Sequence, residues 1–596
     1  MTRASGAHVK IITGEDRDGP SGRPSDRRGG GTSRRGTPAS TGTLTAVRHG
    51  DQTQPALPRP QHVRPVPLAE LARTADADLT AAEPQQPSDG PEARPGPDDG
   101  APQEVTVTGI THDSRAVRPG DIYAALSGAR FHGADFVAQA QFLGATAVLT
   151  DPAGTERAAA TGLPVLTVPD PRGVMGELAA TIYGDPGAGL LRIGITGTSG
   201  KTTTAYLVDG ALRTASRDGG QTGLIGTVET RIGDERIKSE RTTPEATDLQ
   251  ALFAVMREHK VTSLAMEVSS HALVLGRVDG CVFDIAVFTN LSPEHLDFHP
   301  DMEDYFQAKA QLFTPARSRA GVVNIDDVYG RRLVTEAGVP VTTYSAEGHP
   351  DADWRASAVE AGPLGSTFTV HGPDGVVVRA EAPLPGEFNV SNTLAAIAAL
   401  AASGADPQLA ADGIARVPGV PGRLERVDAG QPYLAVVDYA HKPDAVDSVL
   451  HAVRKITEGR VHAVLGCGGD RDPHKRLAMG AALARLSDTA VLTSDNPRSE
   501  DPLAILAAML TGASQVPSHE RGTVLVEEDR AAAIAAAVGR AEPGDTVVVA
   551  GKGHEQGQDI AGVIRPFDDR SELRAAIERA GHTPSTPTPG MDQDSA

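Results

Sequence analysis

The residues best suited to chemistry begin with a short run, GITGTSGKTTT, at positions 194–204. An apolar stretch at 193–195 reads as a buried strand. Glycines at 197 and 200 make a turn, and Lys201 and Thr202 open a helix-compatible run to Leu212. Strand, glycine loop, Lys-Thr and helix form a phosphate cradle. Loop N–H groups and the helix N-terminus supply positive potential, Lys201 adds a full charge, and the Thr202 hydroxyl can reach a magnesium ion. The loop is tighter than the common G-x-x-x-x-G-K-[ST] pattern, because Ile195 stands where that pattern has glycine. Two more clusters follow predicted strands, Glu267-Val-Ser-Ser-His271 after 263–267 and Thr289-Asn290-Leu-Ser-Pro-Glu-His295 after 284–288. In a parallel sheet all three strand ends open on one side. Thr202, Glu267 and His295 are therefore expected to converge on a phosphate-bound divalent cation, with hard oxygen ligands and one imidazole. Taken alone, His295 reads as a capping or core histidine; its neighbours favour a ligand. Lys309, on a predicted helix over 302–313, reads by pattern as an ordinary helix lysine.

The elements that must position these groups are α/β units. Residues 1–100 carry Pro, Gly, Arg and acidic residues with few large apolar ones, and are expected to form a disordered head, apart from a short segment at 66–71. Predicted strands at 105–110, 121–125, 147–150 and 165–168 make a small α/β domain within 101–190. Residues 191–417 alternate strands and helices around the glycine loop and predict a mostly parallel sheet with helices on both faces; a hairpin is expected around Gly372-Pro-Asp-Gly375. Residues 418–582 predict a second doubly wound, Rossmann-like unit, and 583–596 a disordered tail. Four polar clusters follow four strands of this last unit: Asp438-Tyr-Ala-His441, Gly466-Cys-Gly-Gly-Asp-Arg471, Asp495-Asn496-Pro497-Arg498 and Gly551-Lys-Gly-His-Glu555. Four such clusters predict an active-site edge.

A net charge of −21 argues against nonspecific nucleic-acid binding. Two distant cysteines, Cys281 and Cys467, lack metal spacing and suit a reducing compartment. There is no secretory h-region, and the longest apolar stretch, near 394–402, is too short to span a bilayer. The expectation is a cytoplasmic monomer without membrane insertion.

Together GITGTSGKTTT, RTTPE, MEVSSHAL, FTNLSPEHLDFH, GEFNVSN, PGRLERV, DYAHKPD, GCGGDRD, SDNPRSEDP and GKGHE follow the motif order of the Mur ligases, which the chain resembles over about 105–580. The likeness is strongest to the branch that adds the third residue of the peptidoglycan stem peptide. It implies an ATP-dependent amide ligase of three domains. The substrate carboxylate takes the ATP γ-phosphate, and an amine then displaces phosphate from the acyl phosphate. Charge builds on crowded oxygens, so cations must be preorganised there, and closure of the third domain would exclude water.

Carried over residue by residue, the resemblance assigns ATP to Gly197, Thr198, Ser199, Gly200, Lys201, Thr202, Thr203, Asn290, Asn392, Arg423 and Asp438, with Asn290 near the adenine. It assigns Mg2+ to Thr202, Glu267, His295 and a carbamylated Lys309, and catalysis to Lys309, Lys201 and His295. A lysine carried as a carbamate needs a lowered pKa, hence desolvation or nearby cations. Ser114 and Ala129, Arg130 and Phe131 match a uridine pocket. Thr242, Thr243, Ser269 and Arg277 match contacts to the sugar and peptide of UDP-MurNAc-L-Ala-D-Glu; Leu275 stands where some relatives have glutamine. Arg471, Asp495, Asn496, Pro497, Arg498, Gly551 and Glu555 match the amino-acid pocket. Arg498 is expected to select diaminopimelate over lysine, because a guanidinium pairs bidentately with the distal carboxylate that lysine lacks. The alternatives are lysine as acceptor, the D-Ala-D-Ala-adding Mur ligase, a folylpolyglutamate synthase, and a P-loop switch or kinase; a scaffold role for the head is compatible with any of them. Deleting 1–100 is expected to leave catalysis near normal.

Overall fold

The computed structural model describes residues 10–11, 57–81, 104–215 and 220–581. Three sheets carry the chain. The first has five strands. Gly109–Thr111, Asp121–Ala125, Ala147–Thr150 and Val165–Thr167 run parallel, and Asp78–Thr80 is added antiparallel.

That last strand corrects the boundary expected for the head. Val66–Pro67 pairs with Thr106–Val107, and the helix Leu68–Thr74 buries Leu68 and Leu71. Arg59 pairs with Asp121 at 2.6 Å, and the backbone N–H groups of Gln61 and His62 donate to Glu258 of the central region. Lys10–Ile11 also form a two-residue parallel strand beside Leu525–Val526. The segment 57–81 therefore belongs to the first domain, although prolines at 58, 60, 65 and 67 interrupt it. The rest of the expected head, and the tail from 582, lie outside the described residues.

The central sheet has eleven strands, parallel in its middle and antiparallel at both margins. Its axis is β1 (Leu191–Thr196), followed after the glycine loop by α1 (Lys201–Ala215). β2 (Val261–Glu267) and β3 (Phe283–Phe288) flank β1 on either side. Register places Glu267 level with Ile195, and Phe288 level with Thr196. The chain thus leaves all three strands at one edge. The strand cores are uniformly apolar because both faces are covered. α1 and the Ala-rich helix α3 (Glu387–Ala402) pack on one face, and the helix Ala246–Glu258 packs on the other. On that second face also lies α2 (Met302–Ala310), capped by Asp301 and continued as a 3-10 turn to Phe313. The expected hairpin is present as Gly365–His371 against Val377–Ala382. Asp374 and Gly375 take φ of 55° and 78° in its turn. The marginal strands Gln221–Ile225, Glu229–Ile232, Glu235–Lys238 and Trp354–Gly362 were not expected from the sequence.

The third sheet contains β4 (Leu434–Asp438), β5 (Val461–Cys467), β6 (Thr489–Ser494) and β7 (Thr546–Ala550), all parallel and buried. Asp438 and Leu465 are both level with Ala550, and Cys467 is level with Ser494. The four polar clusters therefore emerge along one edge, as the pattern of strand ends predicted. No helix among the described residues is long and apolar enough to cross a membrane.

Candidate active site

The glycine loop is shaped by what surrounds it. Gly197 and Gly200 hold φ of 140° and 88°. A Cβ on Gly197 would lie 1.9 Å from the Thr289 hydroxyl, and one on Gly200 would lie 2.4 Å from Asn392 Oδ1. Glycine is required at both positions by conformation and by space. The residues after β3 staple the loop: Thr289 Oγ1 donates to the Ser199 carbonyl at 2.6 Å, and Asn290 Oδ1 accepts from Ser199 N at 2.9 Å. The Asn290 side chain is thus engaged with the loop backbone. Asn392, on α3, receives no loop hydrogen bond but packs its amide against Gly200 and donates to Asn389.

Two ammonium groups meet at one carbonyl. Lys201 Nζ donates to the Gly197 and Thr198 carbonyls at 2.8 Å each, and Lys309 Nζ donates to the Gly197 carbonyl at 2.9 Å. Lys309 is 1% exposed and sits 4.6 Å from the Tyr305 ring centroid. Burial, then the neighbouring charges of Lys201 and Lys442, hold its pKa well below the ordinary lysine value, against the opposing pull of Glu294. Lys309 is therefore far from the ordinary helix lysine that its pattern suggests.

Thr202 Oγ1 donates to Glu267 Oε2 at 3.0 Å and accepts from Arg423 Nη2 at 3.1 Å. Arg423 comes from the start of the third region, so this contact crosses between regions. Glu267 also accepts from both the N–H and the hydroxyl of Thr227. His295 stands apart from this group. It holds φ of 57°, lies 3.5 Å from Glu294, and meets His271 edge to face at 4.7 Å. Burial, with His271, Lys201 and Lys442 against Glu294, lowers its pKa to about 4, so its imidazole is neutral near pH 7. Among the described residues no three His, Cys, Asp or Glu side chains gather into a metal-binding group. Thr202 and Glu267 are brought into contact, whereas His295 is not bonded to either.

Glu294 and Lys442 went unnoticed in the sequence, although both lie inside quoted motifs. They form an ion pair between the central and third regions. Burial opposes ionisation of Glu294, but Lys442, Lys201 and His295 carry its pKa down to about 2. Asp438 is buried, and its two oxygens accept from Leu424 N and Ala440 N at 2.7 Å each, which fixes the turn carrying Arg423.

The remaining predicted residues fall into three further groups. Thr243 Oγ1 donates to the Glu267 carbonyl and accepts from Ser269 N, and Thr242 reaches Glu267 through Thr227. Arg277 pairs with Glu245, which also takes Arg241 and Arg172. Ser114 donates to Gln139, and residues 129–131 are exposed, Phe131 by 66%. No hydrogen bond or ion pair among the described residues joins this first-domain patch to the Thr242–Arg277 group.

In the third region Arg498 takes φ of 51° and is clamped by backbone bonds to Asp559 and Ala561, while its Nη1 donates to the Gly469 carbonyl at 2.6 Å. Asp495 and Asn496 are buried beside Gly551. Asn496 Nδ2 donates to Glu555 Oε2 at 2.9 Å. Pro497 accepts from Glu500 N, and Arg471 lies exposed at the rim.

Three family models match: "Mur ligase family, catalytic domain" over 106–183, "Mur ligase middle domain" over 195–400, and "Mur ligase, glutamate ligase domain" over 422–553. A protein of Streptomyces avermitilis described as UDP-N-acetylmuramoyl-L-alanyl-D-glutamate--2,6-diaminopimelate ligase is 73% identical over 88% of this chain and 99% of its own length. The chain belongs to the Mur ligase family. It is thereby one of a family of ATP-dependent ligases. A Streptomyces coelicolor protein of the same description is 74% identical over the same shares. Among solved structures, one described as that diaminopimelate ligase aligns with TM-score 0.59 and 34% identity, covering 80% of this Mur ligase and 96% of the other chain. A folylpolyglutamate synthase of Mycobacterium tuberculosis aligns with TM-score 0.50 and 20% identity over 69% of this chain and 95% of its own, a likeness of fold alone.

Proposed function

We infer that this Mur ligase joins diaminopimelate to a carboxylate of UDP-N-acetylmuramoyl-L-alanyl-D-glutamate, with ATP as co-substrate. The carrying observation is the Arg498–Asn496–Glu555 pocket on the third sheet edge, in a chain 73–74% identical to relatives described as that ligase. A carboxylate is a poor acyl donor at neutral pH. Its oxygen attacks the ATP γ-phosphorus, ADP leaves, and an acyl phosphate forms. The amino-acid nitrogen then attacks the acyl carbon, phosphate departs, and the nitrogen loses a proton.

The chain's own residues divide this work. Loop residues 197–203 cradle the phosphates, with Lys201 as their cation. Arg423 reaches across from the third region to the same point, and Asn290, Asn392 and Asp438 shape the nucleotide site. Asn290 and Asp438 do so through the backbone contacts already described. Thr242, Thr243, Ser269 and Arg277 hold the sugar and peptide, and Ser114 with residues 129–131 the uridine. Arg498 takes the distal carboxylate of diaminopimelate, and Glu555 takes an ammonium, with Asp495, Asn496, Pro497, Gly551 and Arg471 forming the pocket wall and rim.

The adjoining oxygens of Glu267 and Thr202 fit magnesium, and His295, which stands apart from them, would have to approach to add its neutral imidazole. When bound, the ion neutralises charge on the phosphoryl oxygens. Lys309 is set up to be carried as a carbamate, since a buried amine with a depressed pKa is a nucleophile for carbon dioxide. That modification would turn a cation into an anionic oxygen ligand beside the loop. The domains are 57–190, 191–417 and 418–581, and the protein is a cytoplasmic monomer.

The test supplies purified protein with UDP-MurNAc-L-Ala-D-Glu, ATP and magnesium, and compares diaminopimelate, L-lysine and D-Ala-D-Ala by phosphate release. Diaminopimelate should be preferred; a preference for lysine would overturn the assignment of Arg498.

A further inference from the structure

Beneath the amino-acid pocket lies a lysine to which neither the sequence nor the proposed reaction gives a task. Lys552 is fully buried. It follows β7 in a turn whose Gly551 and Gly553 hold φ of 113° and 54°. A Cβ on Gly553 would sit 2.7 Å from Tyr439 Cβ and 3.0 Å from the Gly422 carbonyl, so the turn is pressed against β4's end. This packing sends the Lys552 side chain inward. Its Nζ donates to Asn496 Oδ1 at 3.0 Å and to Glu555 Oε2 at 3.2 Å.

A charge in such a place has a cost. Desolvating an ammonium is expensive, and an apolar side chain of similar volume is often at least as good for stability. The pairing does set geometry. Asn496 Oδ1 accepts from Lys552 Nζ and from Asp559 N, while its Nδ2 donates to Glu555 Oε2. Glu555 Oε2 therefore takes two donors, and Oε1 has no partner among the described residues. The Glu555 side chain is 34% exposed. One carboxylate oxygen is anchored by two donors, and the other is left without a partner on a partly exposed side chain.

We propose that Lys552 is a positioning residue that anchors Glu555 Oε2 and orients Asn496, so that Glu555 Oε1 faces the ammonium of the incoming amino acid. The proposal rests on the reading of this pocket as the diaminopimelate site. It makes Asn496 chiefly a spacer between Lys552 and Glu555, and makes Lys552 a determinant of acceptor affinity without contact to the acceptor.

The experiment is steady-state kinetics of the full chain with diaminopimelate, ATP and UDP-MurNAc-L-Ala-D-Glu varied in turn. Lys552→Met should raise KM for diaminopimelate about tenfold or more, as expected when a hydrogen bond to a charged group is misaligned. KM for ATP and for the nucleotide sugar should stay within about twofold. In a Glu555→Gln background the Lys552→Met change should add nothing further, because both act through one contact. A uniform rise in all three KM values, an unchanged KM for diaminopimelate, or multiplying effects in the double variant would overturn the proposal. Lys552→Gln, which keeps a neutral donor, should give the same pattern with a smaller rise. Thermal melting supplies a check independent of turnover: Glu555→Gln strands a buried ammonium and should lower Tm, and adding Lys552→Met should recover part of the loss. No recovery would count against the pairing. If the wild-type chain does not consume diaminopimelate, the reading of the reaction fails; if it does and Lys552→Met is silent, only the role of Lys552 falls.

Discussion

The central and third regions each gather polar residues at the carboxyl edge of a parallel sheet, yet they treat charge in opposite ways. At the glycine loop, Lys201 and Lys309 converge on the Gly197 carbonyl, and neither forms an ion pair among the described residues. Beside the amino-acid pocket the buried cations are matched: Lys552 by Glu555, and Arg530 by Asp569 with both groups fully buried. Arg530 also donates to the Ser494 and Ala550 carbonyls, locking the ends of β6 and β7. An edge with surplus cations suits a substrate that brings several negative charges. An edge with balanced charges suits a zwitterion and discriminates by geometry. On the proposed reading, energy supply and selection sit on separate sheets, and the contacts Arg423–Thr202 and Lys442–Glu294 join them.

The largest effect should come from the two loop lysines. Lys309→Ala and Lys201→Ala are each expected to cut phosphate release by about 10³-fold or more, the scale seen when charge stabilisation at a transition state is removed. Short-chain carboxylates should partly rescue Lys309→Ala if they replace the oxygen of the carbamate proposed for Lys309. Near-normal turnover of Lys309→Ala would end the claim that this lysine acts at the loop.

On the selective edge, Arg498→Lys should lower kcat/KM for diaminopimelate about 10–100-fold, because an ammonium cannot pair bidentately. The value for L-lysine should hardly move. Equal losses for both amino acids would show that Arg498 shapes the pocket without reading the carboxylate.

A third test probes the junction through pH. Burial and then Lys442 lower the pKa of His441 to about 4, and burial and then Arg423 lower that of His554 to about 3. The reference value is 6.5 in both cases. A depressed pKa means that protons favour the unfolded chain. The stability these neutral histidines contribute is thus fully present above pH 6.5 and is lost as pH falls toward 4 and 3. Thermal melting across that window should show a falling Tm, with a shallower slope for His441→Asn. An unchanged slope would remove His441 from the account.

The smallest effect should come from Lys455 and Glu387, which also link the two regions but are 55% and 69% exposed. Lys455→Ala should change stability by less than about 1 kcal/mol by denaturant titration. A larger loss would mean that surface contacts, rather than the buried ones at Thr202 and Glu294, hold the regions together.

Much of this was legible in the residues themselves. Strand positions, the glycine loop and the four polar clusters follow from local periodicity and from backbone rules that act over a few residues, and these rules survive folding. The motif order carried the family and the expected reaction with it. Other features depend on contacts distant in the chain. The segment 57–81 is interrupted by prolines at 58, 60, 65 and 67, and its order comes from pairing with Thr106–Val107 and Val165–Thr167, from burial of Leu68 and Leu71, and from the Arg59–Asp121 contact. Lys309 looks like any helix lysine until burial and two other cations depress its pKa. Lys552 reads as part of a motif until a pressed glycine turn drives it beneath Glu555. The sequence by itself determined which groups lie at the sheet edges, since alternation and glycine placement are local. Only the tertiary structure decided which of them are buried, paired or left with free charge. Desolvation and charge coupling depend on the whole surrounding fold.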